Sequence, residues 1–154
     1  MELSSLLKPA GIKVLSDVSS KKRLMLCIAE VAEALVHLPG ATIFDALQER
    51  ESLGPTGVGH GVALPHARLA PLTEVHGAFL KLDRPIDFDS ADRQPVDLVF
   101  ALFAPMDTGV DHLKALALVS RTLRDTALCA KLRANSDAAT LHTLLTEGIS
   151  HKAA

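Results

Sequence analysis

A chain of 154 residues, 48% hydrophobic and 22% charged, has the size of one ordinary domain and enough apolar surface to form a buried core, which excludes a disordered protein. Its formal net charge of -2 and its lack of Trp and Tyr leave neither the basic field nor the best base-stacking side chains of a nucleic-acid binder. The N-terminus lacks the basic start and long apolar stretch of a signal peptide, and no apolar run approaches the roughly 20 residues of a membrane span. The chain is therefore expected to be cytoplasmic and not membrane-embedded.

In chain order, Leu3, Leu6 and Leu7 predict a helical turn stopped near Pro9, and Ile12 to Leu15 a brief edge strand. From about Ser20 the apolar residues Leu24, Ile28, Val31, Leu35 and Leu38 recur at steps of four and three, the stripe of an amphipathic helix that ends at Pro39 and Gly40. Thr42 with Asp45 three residues later resembles a capping box, so a second helix is expected from near Ile43. In it Ile43, Ala46, Leu47 and Arg50 lie on one stripe. Arg50 either packs its stem while its guanidinium reaches water, or offers a rigid two-pronged donor to a carboxylate or phosphate; the spacing leaves both open.

The segment Gly57-Val-Gly-His-Gly-Val-Ala-Leu-Pro-His-Ala-Arg68 concentrates the chemistry. Three glycines in five residues permit tight turning, Val62 to Leu64 form a short strand-like run, and Pro65 ends it, which places His66 just past a strand end. Gly77 to Leu82 reads as a strand, and Arg84 to Gln94 as a polar connection interrupted by Ile86 and Phe88. Leu98 to Phe103 is a continuous apolar run, the pattern of a central strand covered on both faces. Pro105 closes it, and Asp107, Thr108 and Gly109 supply turn and capping residues for a helix from Val110 or Asp111. On that helix His112, Leu116, Val119 and Leu123 fall on one line, with His112 at the anion-favouring first turn. Leu128 to Leu132 and Leu141 to Leu145 read as further helices, capped between by Ser136 or Asp137, and a polar tail is expected after Glu147. Cys27 and Cys129 fall inside predicted helices and read as buried thiols.

Interleaved strands and helices without a repeat or linker predict a single α/β domain over 1–154, with an ordered core of about 4–147 and a mixed β-sheet covered by helices on both faces. His66, His112 and Arg50 together suit phosphoryl transfer. A neutral imidazole is nucleophilic at pH 7, and its attack on phosphorus forms a reactive N–P bond. The added negative charge then needs cations nearby; one charge pair about 4 Å apart contributes about 4 kcal/mol at an effective dielectric of 20. A rival reading takes His60, His76 and His112 as metal ligands, although compact ligand spacings such as His-x3-His or Cys-x2-Cys are missing. His37, His142 and His151 read as ordinary surface or helix-end histidines.

Four series of residues carry a family resemblance: Arg50-Glu51 with Leu53-Gly54; Thr56 to Gly59 followed by Gly61 to His66; Gln94 to Leu102; and His112-Leu113 opening a helix. Over nearly its whole length the chain resembles the enzyme IIA family of the bacterial phosphoenolpyruvate-dependent phosphotransferase system, in its mannitol, fructose and nitrogen-regulatory branch. The resemblance implies that His66 accepts phosphate on a ring nitrogen from an HPr-type phosphocarrier protein. It also implies that His112 and Arg50 contact the phosphoryl group; no cofactor or metal is expected. The nitrogen-regulatory member is the most similar, in the Arg-Glu-x-Leu-Gly approach, Pro85 to Phe88 and Gln-Pro-Val-Asp, and in the lack of a fused carrier or membrane component. Its implied role is regulatory, with target proteins such as potassium-transport or sensor components; the alternative is the IIA component of a fructose- or mannitol-type sugar transporter. Ala67 stands where the family commonly has glycine, and His60 where it has a small or polar residue.

Overall fold

The computed structural model describes the backbone of residues 1–107 and 109–153 and side chains as far as residue 147. Its elements run α1 (Leu3–Leu6), β1 (Leu7–Leu15), α2 (Lys21–Val36), α3 (Gly40–Ser52), β2 (Gly57–Gly59), β3 (Val62–Ala63), β4 (His66–Arg68), β5 (His76–Ile86), β6 (Val96–Ala104), α4 (Val110–Leu123), α5 (Thr126–Ala134) and α6 (Ala138–Ala153). Among the described residues six strands form one mixed sheet in the order β1-β5-β6-β3-β2, with β4 also paired to β6. β1 runs parallel to β5, β3 and β4 run parallel to β6, and the pairs β5–β6 and β2–β3 are antiparallel. The expected mixed α/β fold with helices on both faces is the one observed.

β6 is the central strand its composition requires. With a side-chain period of two, Leu98, Phe100, Leu102 and Ala104 enter one core with α1, α4, α5 and α6. Val99, Ala101 and Phe103 enter the other, against α2 and α3. Lys81, buried in β5, sends its Nζ to the carbonyls of Arg133 and Asn135 and so satisfies the C-terminal end of α5.

Several local expectations are corrected. The leading helical turn is present but ends at Leu6, and Pro9, in place of stopping it, lies inside β1, where an edge position and a register shift between Leu7 and Ile12 tolerate its missing N–H. Ser20 caps α2 by accepting from Arg23 N at 3.1 Å, but the buried stripe is Leu24, Met25, Ile28, Ala29 and Ala32, with Val31, Leu35 and Leu38 only half-buried at its margin. α2 stops before Pro39, at a left-handed His37 with φ 59°. Thr42 and Asp45 form no capping box, because α3 already begins at Gly40; the carboxylate of Glu33, on α2, accepts from Gly40 N at 3.1 Å and supplies the cap from outside. β5 continues to Ile86, beyond the expected start of the polar connection. Asp137 and not Ser136 caps α6, accepting from Thr140 N at 3.0 Å, and α6 runs past Glu147 where a tail was expected. Among the expected turn residues before α4, Thr108 lies outside the described residues, and Gly109 takes up a positive φ of 56°.

Candidate functional site

Two short strands, β3 and β4, lie end to end beside β6, interrupted at Leu64 and Pro65. β2 covers β3 through a two-residue turn, His60 and Gly61, whose φ values of 57° and 79° match the positive-φ turn favoured by twisted hairpins. The backbone N–H of His60 donates to Asp92 Oδ2 at 2.9 Å and its carbonyl accepts from Arg133 Nη2 at 2.9 Å, so this departure from the family pattern is held away from the chemistry. β4 pairs only with β6 among the described residues, which leaves its outer edge open to the C-terminal end of α3.

His66 lies past the end of β3, as expected, and in addition opens a second strand, where it pairs with Leu102. Ala67 enters the core beneath α2 and α3, at 4% exposure. It has no positive φ, so no glycine is needed there. Strand alternation then turns His66 and Arg68 to the opposite face, toward α4. The ring Nδ1 of His66 lies 2.9 Å from the carbonyl oxygen of Leu64. A carbonyl only accepts, so the proton is on Nδ1 and the lone pair is on Nε2. Burial lowers the His66 pKa, opposed by the Leu64 carbonyl and assisted by the charge of Arg50, which keeps the ring neutral at pH 7.

The other two residues expected at the site are beside it. Arg50, half-buried, donates from Nε to His66 Nε2 at 3.2 Å and from Nη1 to Gly54 O at 2.9 Å, so its guanidinium is turned to the site, with a ring nitrogen and a carbonyl as the acceptors. The ring of His112 stands edge-on to that of His66, centroids 5.4 Å apart and planes at 75°. His112 is 4% exposed, and its Nε2 has no hydrogen-bond partner. Burial, then the neighbouring His66 and Arg68, push its pKa down to about 4. A buried polar atom left without a partner costs about 1–3 kcal/mol, an expense often found where a ligand completes the bonding. The three groups, with Arg68, line one cleft of about 460 Å³ whose rim includes Leu53, Met106 and Leu113, the last three 81%, 57% and 64% exposed.

Two further residues bear on this site, Glu51 and Arg68, which the sequence placed in its motifs without a role of their own. Glu51 is buried and accepts from Thr56 N at 2.8 Å and Thr56 Oγ1 at 2.6 Å, while Lys21 Nζ approaches it to 3.0 Å. This network folds the turn that aims the Gly54 carbonyl at Arg50. Arg68 donates from Nη1 to the carbonyls of Met106 at 3.0 Å and Pro105 at 3.4 Å. Its signal was present in the sequence, two residues after His66, but becomes readable only once that segment is known to be a strand. The metal reading gains nothing: among the described residues no three His, Cys, Asp or Glu side chains are gathered to hold an ion, and His60 and His76 do not line the cleft. His142 is more than a surface residue, since its Nε2 lies 2.9 Å from the Leu7 carbonyl; the side chain of His151 lies outside the described residues.

Residues 5–148 match the family model described as phosphoenolpyruvate-dependent sugar phosphotransferase system, EIIA 2. A nitrogen regulatory protein of Bradyrhizobium diazoefficiens is 46% identical over 145 residues, covering 94% of this chain and 95% of that protein. The crystal structure of nitrogen regulatory protein IIA-Ntr from Neisseria meningitidis superposes with a TM-score of 0.87 at 34% identity, covering 94% of this chain and 99% of that one. IIA mannitol from Escherichia coli shares the fold, with a TM-score of 0.76 at 17% identity, covering 90% of this chain and 97% of that one. Among the described residues no helix is long and apolar enough to cross a membrane.

Proposed function

We propose, from the premise that this chain belongs to the EIIA 2 family of the phosphoenolpyruvate-dependent sugar phosphotransferase system, that it carries a phosphoryl group on Nε2 of His66 and serves as a nitrogen-regulatory IIA protein. The observation that carries the reading is the pair of bonds on one ring: the Leu64 carbonyl fixes the proton on Nδ1, and Arg50 marks the lone pair on Nε2. In the transfer, that lone pair forms the new N–P bond as the donor's N–P bond breaks and its electron pair returns to the donor nitrogen. The proton stays on Nδ1, held by Leu64, so the ring becomes cationic and can later leave as a neutral imidazole when the group passes on. Arg50 moves its donor from Nε2 to a phosphoryl oxygen, and the unpartnered Nε2 of His112 supplies a second contact. The donor is an HPr-type phosphocarrier protein, for which the exposed Leu53, Met106 and Leu113 around the cleft form an apolar landing rim. Phosphorylation state then selects regulatory targets, with potassium-transport and sensor components as the class implied. The 46% identity to a nitrogen regulatory protein favours this role over sugar transport.

The test is incubation of the purified chain with phosphoenolpyruvate, enzyme I and an HPr-type carrier. One acid-labile, base-stable phosphoryl mass should appear and should be lost in His66→Ala. No labelling of the wild type refutes the carrier role, and labelling that survives the substitution assigns it to another residue.

A further inference from the structure

We infer that Arg68 is a second guanidinium on the phosphoryl group, exchanging its bonds to the Met106 and Pro105 carbonyls for a phosphoryl oxygen when His66 is phosphorylated. The inference rests on the reading of His66 as the acceptor. β4 is the reason it can do so. With Ala67 committed to the core under α2 and α3, His66 and Arg68 project from the same face of the strand.

A phosphoryl group presents three strong acceptor oxygens and nearly two negative charges. Arg50 and His112 account for two of those oxygens. Of the described residues lining the cleft, the remaining cation is Arg68, and Glu49 is the opposing anion. The electrostatic reach of Arg68 already extends to both rings, since it helps to lower the pKa of His66 and of His112. In the unphosphorylated chain its Nη1 donates to two neutral carbonyls. Those bonds are already charge-assisted through the guanidinium; a phosphoryl oxygen adds an opposite charge on the acceptor side, and so a Coulomb attraction that neutral carbonyls lack. The Arg68 side chain is exposed, so the exchange requires a rotamer change and no repacking.

The experiment removes the carrier from the system, so that contact with the phosphoryl group is separated from protein docking. The full chain, Arg68→Ala, Arg68→Lys and His66→Ala are treated with phosphoramidate, whose N–P bond breaks to release ammonia as Nε2 forms its own N–P bond. The phosphohistidine is followed by phosphorus NMR across pH. A guanidinium in contact favours the dianion, so Arg68→Ala should raise the phosphoryl pKa by about one unit, the lower end for an opposite charge at 4–6 Å. Arg68→Lys should fall between Ala and wild type, and it carries the test if the Ala variant does not fold. Titration of both variants identical to wild type overturns the inference, including the case in which Arg68→Ala only weakens use of a carrier protein. Absence of the resonance in the wild type, or its survival in His66→Ala, instead overturns the assignment of His66.

Discussion

His112 carries a cost that is visible before any phosphate arrives. Its pKa of about 4, far under the usual value near 6.5, arises first from burial and then from His66 and Arg68. Between those two pH values the unfolded chain binds a proton that the folded chain refuses, so stability falls as pH drops through this window, by up to about 1.4 kcal/mol per unit for a whole proton. His66 and His76 are also lowered, chiefly by burial, and add to the same slope. Urea unfolding of His112→Gln should therefore show a shallower loss of stability from about pH 6.5 to 4 than wild type, though not a flat one. An unchanged slope would mean that His112 is not the group held neutral. Under the proposed function, phosphorylation of His66 would reverse the logic, because a dianion beside the ring favours its protonated form.

At the scale of elements, the site is a meeting of two helix ends and a strand edge: the C-terminal end of α3, the first turn of α4 and the open edge of β4. Arg50 reaches His66 only because the turn after α3 is closed by the buried Glu51 on Thr56 and Lys21. Glu51→Ala removes the acceptor for the Thr56 N–H and hydroxyl and the nearer of two carboxylates at Lys21, leaving Asp89 Oδ2 at 3.8 Å, at a cost of about 3 kcal/mol. At equal folded fraction it should also slow His66 labelling about tenfold, as loss of the Gly54 anchor lets Arg50 drift, while Glu51→Gln keeps one acceptor oxygen and recovers part of the rate. A destabilised Glu51→Ala that labels as fast as wild type would confine Glu51 to folding.

Across the whole molecule, two cores on opposite faces of one sheet hold the parts in place. α2 and α3 bring Arg50 from one side, α4 brings His112 from the other, and β4 lies between. The cleft opens where the rim is apolar and the interior is lined by cationic and ring groups, so under the proposed function the same face would present a different charge in the two phosphorylation states. Partner capture with His66→Ala against the charge-bearing His66→Asp should enrich different proteins for a regulator. Identical sets dominated by a membrane sugar carrier would favour the transport role instead.

Much of this was written locally. The apolar run of β6, the helical stripes, the turn-prone glycines and the Pro-His step at 65–66 all follow from backbone constraints and side-chain periodicity, which act over a few residues and so are legible in order along the chain. Local rules also misplaced things where a distant group intervened: Glu33 moved the start of α3, and pairing with β6 turned the segment after Pro65 into a strand. The aim of Arg50, the orphaned Nε2 of His112 and the nearness of Arg68 to His112 were decided only by the tertiary structure. They depend on which atoms face one another across separate elements, and hydrogen bonding and desolvation act through that spatial neighbourhood and not through distance along the chain.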